Sequence, residues 1–194
     1  GLNQIQEKYI LLLQEDYLLI KKVDNNKIQG CIDIMQKEDP AYLRIFPCPG
    51  PDKKYKEYKD IGLIGKESKY CISTQATIWN KEILKKFLVP TENVWNLEEK
   101  GAKRAYDIEK DFLGIVRQKH SKAELGSYPY TYCCTAVYRG KWMREAVKLC
   151  IKENIPLNFI YRNSETRFDE FYRKYYQLFP RYLQHLLDFI KIRQ

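Results

Sequence analysis

Two adjacent carboxylates, Glu15-Asp16, close the apolar run Tyr9-Ile10-Leu11-Leu12-Leu13-Gln14, and their type and spacing suit chemistry. At the tip of a strand they offer hard oxygen ligands to a divalent cation, Mn²⁺ or Mg²⁺, which would in turn bind a diphosphate. The plainer role is to open the next turn and face water. Six cysteines, at 31, 48, 71, 133, 134 and 150, include no CxxC pair, and with two histidines they make no zinc pattern. Cys133 and Cys134 are adjacent in an extended, Tyr-rich run. Their side chains point to opposite faces there and read as small packing residues of a reducing compartment. His120 and His185 stand alone, with a surface or interface role.

The elements that must position these residues alternate between strand and helix. Residues 8–14 read as a buried central strand that stops in acid. Asn26 to Glu38 places Ile28, Cys31, Ile32, Ile34 and Met35 at helical spacing, and Asp39-Pro40 stops the helix. Ala41 to Phe46 alternates as a second strand, after which Pro47-Cys48-Pro49-Gly50-Pro51 starts a long loop that continues through the lysines of 53–59. Tyr70 to Trp79 has the composition of a third strand, and Asn80 caps a short helix, Lys81 to Phe87. A further helical stretch carries Val94, Trp95, Leu97 and Glu98 until Gly101 interrupts it, and the next twenty or so residues fit helix or loop. Tyr128 to Tyr138 reads as extended. Arg139-Gly140 turns the chain into an amphipathic helix over Lys141 to Asn154, and Phe168 to Ile192 fits one or two helices around Pro180. This order predicts an α/β layer structure with a mixed sheet flanked by helices, in which chemistry gathers where strands end.

Five segments occur in sequence: Tyr9 to Tyr17, Leu43-Arg44-Ile45-Phe46-Pro47-Cys48-Pro49-Gly50-Pro51, Ser73-Thr74-Gln75-Ala76-Thr77-Ile78-Trp79, Asn93-Val94-Trp95-Asn96-Leu97-Glu98 and Arg139-Gly140-Lys141-Trp142. Together, across residues 8–150, they resemble the later portion of a bacterial family of GT-A-type glycosyltransferases of surface-polysaccharide (capsule and lipopolysaccharide) biosynthesis. The resemblance implies a GT-A-like partial domain over 1–160, with 161–194 a basic, aromatic, helical C-terminal segment packing on it. It further implies a nucleotide-sugar donor, a glycan or lipid-linked glycan acceptor, and Asp16 with Glu15 as ligands of Mn²⁺ or Mg²⁺. Asp16 is the preferred ligand because it lies nearer the strand's exit. The family's usual acid-spacer-acid motif is absent here, since Tyr17 follows Asp16.

In inverting members an acid on a helix serves as base, a place that Glu98 matches best and Glu99 second. Such a carboxylate takes the proton of a poorly nucleophilic sugar hydroxyl while a cation stabilises the leaving diphosphate. Trp79, Trp95 and Arg44 are the acceptor-binding residues on the same reading; a Trp in either setting also suits the core. The Pro-rich loop either shapes the acceptor cleft or merely connects.

Length and charge set the outer bounds. The chain has 194 residues, 44% of them hydrophobic, with a net charge of +9 and 16 tyrosines, enough for one domain with a substantial core and an anionic partner. The longest apolar run is far short of the roughly 20 residues that span a bilayer. With the resemblance, the expected placement is cytoplasmic, with peripheral contact at the inner membrane face. A Tyr- and Lys-rich basic chain also suits single-stranded nucleic acid, but no RNP, KH or helix-turn-helix motif supports it. The other class is a non-catalytic module that binds an anionic glycan or a membrane surface, for which 161–194 offers seven Lys or Arg against four Asp or Glu. The first acidic strand already occupies residue 8, so the strands that bind base and ribose are expected to precede Gly1, and the isolated chain to transfer sugar poorly.

Overall fold

The structure, a computed structural model, describes residues 1–117, 128–132 and 135–176. His120, Cys133, Cys134, His185 and the helix expected beyond residue 176 lie outside them. The chain divides into two compact units, Gly1–Glu15 with Lys21–Thr131, and Asp16–Ile20 with the chain from Tyr132 onward.

The first unit runs β1 (Tyr9–Leu12), α1 (Asn25–Glu38), β2 (Tyr42–Arg44), β3 (Lys53–Tyr55), β4 (Tyr58–Leu63), β5 (Thr77–Asn80), α2 (Lys81–Phe87), α3 (Val94–Arg104) and β6 (Phe112–Ile115). Its mixed sheet has the order β1-β5-β2-β6-β4-β3, with β2 and β6 parallel and every other pair antiparallel. The unit is therefore α/β, with helices on both faces of the sheet.

Alternation along the strands assigns those faces. Tyr42, Trp79, Phe112 and Leu12 share one face and pack against Ile83, Leu84 and Phe87 of α2 and Leu97 of α3. The aromatic rings interlock at tilted and edge angles, with Tyr42 and Trp79 centroids 4.8 Å apart and Trp79 and Phe87 5.5 Å apart. On the opposite face lies α1, whose Cys31 and Met35 are buried and whose Met35 carbonyl accepts the Tyr9 hydroxyl at 2.9 Å.

Local chemistry explains the helix ends. Asp24 accepts the Lys27 N–H at the start of α1, and Asp39 takes the left-handed conformation (φ 47°) at its end. The Asn80 side chain accepts from the N–H groups of Glu82 and Ile83 and caps α2.

Five sequence expectations are corrected. Among the described residues β1 is an edge strand rather than a central one, paired with β5 alone. The lysines of 53–59 form the β3–β4 hairpin at the other edge, where edge lysines discourage further strand pairing. The third strand is limited to Thr77–Asn80, and β6 arises in a stretch that was open between helix and loop. Gly101 does not interrupt α3: a Cβ there would meet Ile72 at 3.1 Å, so glycine lets the helix settle on the core.

In the second unit, β7 (Val137–Tyr138) and β8 (Lys141–Trp142) form a hairpin whose central residues, Arg139 (φ 49°) and Gly140 (φ 77°), both have positive φ. α4 (Arg144–Lys152) and α5 (Arg167–Tyr175) follow, so residues 141–142 begin a strand where a helix was expected. Met143, Ala136 and Ala146 make a small core with Leu18 and Trp142. Glu165, buried, ties the helices together: it accepts the Arg144 N–H at the start of α4 and receives Arg173 of α5 at 2.9 Å. No helix among the described residues is long and apolar enough to cross a membrane.

Candidate functional site

One stripe of α3 and the short helical turn after it, Ala105–Asp107, carries most of the candidate chemistry. Trp95, Glu99, Ala102, Lys103 and Tyr106 follow helical spacing along an outward face, and with Glu98 they form one wall of an open groove. Lys66 to Tyr70, in the loop after β4, form the other wall. Trp95 is 77% exposed, and Tyr70 and Tyr106 are exposed beside it. Aromatic faces open to water in a groove suit the apolar faces of sugar rings.

Glu98 sits half-buried at the inner edge of this stripe. Its Oε1 accepts two hydrogen bonds from Thr74, at 2.7 Å from the backbone N–H and 2.8 Å from the hydroxyl. Charge-assisted bonds of this kind are worth about 1.5–3 kcal/mol each and fix the carboxylate's orientation. Among the described residues Oε2 takes no hydrogen bond, which leaves it able to accept a proton from a ligand. Glu99 is exposed on the same stripe with neither anchor. α3 itself is held at its start by Glu92, which pairs with both terminal nitrogens of Arg104 at 3.0 and 2.7 Å. That guanidinium holds the Glu92 carboxyl below the usual range.

Two of the expected acceptor contacts are corrected. Trp79 is 1% exposed, and its ring is enclosed by Tyr42 and Phe87, so neither face is open to a sugar. Arg44 is also fully buried. Its guanidinium donates to the carbonyls of Pro49, Tyr70 and Cys71 and to the Tyr42 hydroxyl, so it braces the Pro-rich loop and the floor behind the groove. Burial pushes the neighbouring Cys71 thiol up to about 11, and Cys31 likewise, so both are inert packing groups. Gly62 abuts the Pro51 ring, where a Cβ would come within 2.6 Å, and the Pro-rich loop is thereby pressed onto β4.

The two candidate metal ligands belong to different units. Glu15 is exposed at the end of its segment of the first unit. In the second, Asp16 is half-buried: its carbonyl accepts the Ala136 N–H at 2.7 Å, and Oδ2 receives the Thr135 hydroxyl. Tyr17 stacks on Tyr132 with centroids 4.5 Å apart and fixes the segment further. Asp16 Oδ1 takes no hydrogen bond among the described residues, and no group of three or more His, Cys, Asp or Glu gathers among them. One oriented carboxylate suits Mg²⁺ or Mn²⁺ of the kind that draws its other ligands from water and substrate phosphate.

Sequence reasoning placed Trp95, Glu98 and Glu99 together but missed Thr74, Tyr70 and Tyr106. The i, i+4, i+11 spacing of Trp95, Glu99 and Tyr106 carried a signal for Tyr106. Thr74 had none, since its meeting with Glu98 is tertiary. No protein-family model matches this sequence, and neither the curated proteins nor the solved structures compared with it include a significant match.

Proposed function

We propose that this chain is a GT-A-like part-domain of a glycosyltransferase that moves a sugar from a nucleotide-sugar donor to a glycan acceptor by inversion, with Glu98 as base. The observation that carries the reading is the asymmetric carboxylate of Glu98, one oxygen anchored by Thr74 and the other unbonded, in a groove lined by three exposed aromatic rings. The mixed α/β sheet is compatible with that fold class.

On this reading the acceptor sugar lies in the groove against Trp95, and Glu98 Oε2 takes the proton of its hydroxyl. The hydroxyl oxygen forms a bond to the anomeric carbon from the side opposite the diphosphate. The bond to the diphosphate breaks, and its electrons leave with it. Thr74 keeps the carboxylate aligned until transfer. Within its own unit, Asp16 is the residue that would hold Mg²⁺ or Mn²⁺, and an ion there would supply positive charge to a diphosphate.

Donor hydrolysis and sugar transfer by the full-length protein, with and without Mn²⁺, test the assignment. Glu98→Gln is expected to lower transfer by about 10²- to 10⁴-fold without loss of fold, the range of a missing general base. Asp16→Ala is expected to abolish the response to Mn²⁺. Full activity in both variants overturns the site.

A further inference from the structure

The chain leaving α4 turns its apolar side chains outward. α4 ends in a capping turn in which Asn154 takes φ 55° and the Ile155 N–H donates to the Cys150 carbonyl at 2.8 Å. Beyond it, Asn158 Oδ1 accepts the Ile160 N–H at 2.9 Å and tightens the loop into an Asx turn. At this tip Ile160 is 91% exposed and Tyr161 88%, next to an exposed Phe159. The loop is also anchored where it returns: the Trp142 backbone N–H donates to the Asn163 carbonyl and the Trp142 carbonyl accepts from the Glu165 N–H, both at 2.8 Å. Back along α4, Lys148, Ile151, Lys152 and Ile155 follow helical spacing on one stripe, and Ile151 is 70% exposed. Single exposed apolar residues need no explanation, whereas five large ones between residues 151 and 161, three of them consecutive, mark a contact surface.

The charge around this surface selects the partner. Residues 148–162 hold Lys148, Lys152 and Arg162 against the single acid Glu153, a net +2, and Glu153 is engaged by Lys152 at 3.0 Å. Arg162 lies over the Trp142 ring, 5.2 Å from its centroid. Neither Lys148, Arg162 nor the nearby Arg167 has a carboxylate partner among the described residues. An outward apolar tip flanked by unpaired cations fits a planar anionic surface: aromatic and aliphatic side chains enter the boundary between headgroups and acyl chains, and the cations remain at headgroup level.

We propose that the Ile155–Tyr161 loop and the outer stripe of α4 dock on an anionic lipid bilayer. The inference rests on the second unit alone and is independent of the transfer chemistry proposed for Glu98. It also differs from the sequence expectation, which placed membrane contact on 161–194.

Co-sedimentation of the full chain with phosphatidylcholine vesicles, with or without phosphatidylglycerol, tests it with no donor present. The chain is expected to bind the mixed vesicles, and to bind them less as salt rises. A Phe159→Ser, Ile160→Ser, Tyr161→Ser triple variant, checked for unchanged circular dichroism and melting, is expected to bind about tenfold or more weakly. Lys148→Glu with Arg162→Glu is expected to weaken binding to the mixed vesicles by about fivefold or more per charge. Three outcomes overturn the proposal. The chain ignores the mixed vesicles; the triple variant binds as well as the parent, which places binding elsewhere in the chain; or the tip mediates self-association in solution without any vesicle binding.

Discussion

Trp79 and Trp95 show how one residue type serves opposite ends. Trp79 lies on a strand covered by α2, where its ring fills space between Tyr42 and Phe87. Trp95 stands on the outer stripe of α3 with most of its ring in water. Trp79→Ala is therefore expected to cost about 3–5 kcal/mol of unfolding free energy, the range for an aromatic removed from a packed core. Trp95→Ala is expected to stay within about 0.5 kcal/mol of the parent while raising the acceptor concentration needed for half-maximal transfer. Denaturant unfolding checks the first pair of values and transfer kinetics the second. Both tryptophans are equal candidates for sugar stacking by residue type; the fold leaves only Trp95 a free face. Arg44 follows the same logic, since a buried guanidinium among carbonyls is committed to holding the chain together.

At the scale of elements, a local signal suffices at Asn80, where the side chain acts on its own backbone. Asn80 was expected to cap a helix over Lys81 to Phe87 and does so through two N–H groups. Asn80→Ala is expected to lower stability by about 1 kcal/mol, measurable as a lower denaturant midpoint with an unchanged slope. The Arg139-Gly140 turn was likewise legible, since glycine readily adopts positive φ. Other elements depended on distant partners. The apolar run of β1 reads as a strand buried on both sides, but nothing in Tyr-Ile-Leu-Leu says that its second neighbour is missing. β6 is four residues with glycine third, Phe-Leu-Gly-Ile, too short for a strand pattern to emerge. Its parallel pairing with β2 makes it a strand.

For the whole molecule, ionic contacts in both units set how the protein meets acid, and those of the second unit show how. Burial raises the Asp169 carboxyl, but the Lys141 ammonium and the Thr166 donors outweigh it and hold the group well below its ordinary range. Lys174 lowers Glu170 in the same direction, and for Glu145 burial raises the carboxyl but Lys174, a backbone hydrogen bond and Arg173 together outweigh it. These groups bind protons more weakly folded than unfolded, so their contribution is complete above the ordinary carboxylate values near pH 4 and is lost as pH falls through the lowered ones. Denaturant midpoints measured over a pH series are expected to drop from about pH 4 downward. In Asp169→Asn the drop is expected to be shallower, from a lower starting stability, because one proton fewer is taken up on unfolding. The sequence by itself determined the α/β class, the Asn80 cap, the Arg139-Gly140 turn and the closeness of Trp95, Glu98 and Glu99, because these follow from backbone chemistry and helical spacing. Only the tertiary structure decided that Trp79 and Arg44 are interior, that Thr74 anchors Glu98, and that the apolar side chains of 159–161 remain in water. Each of these depends on which segment, far away in the chain, covers the residue or leaves it open, and short-range pattern does not carry that information.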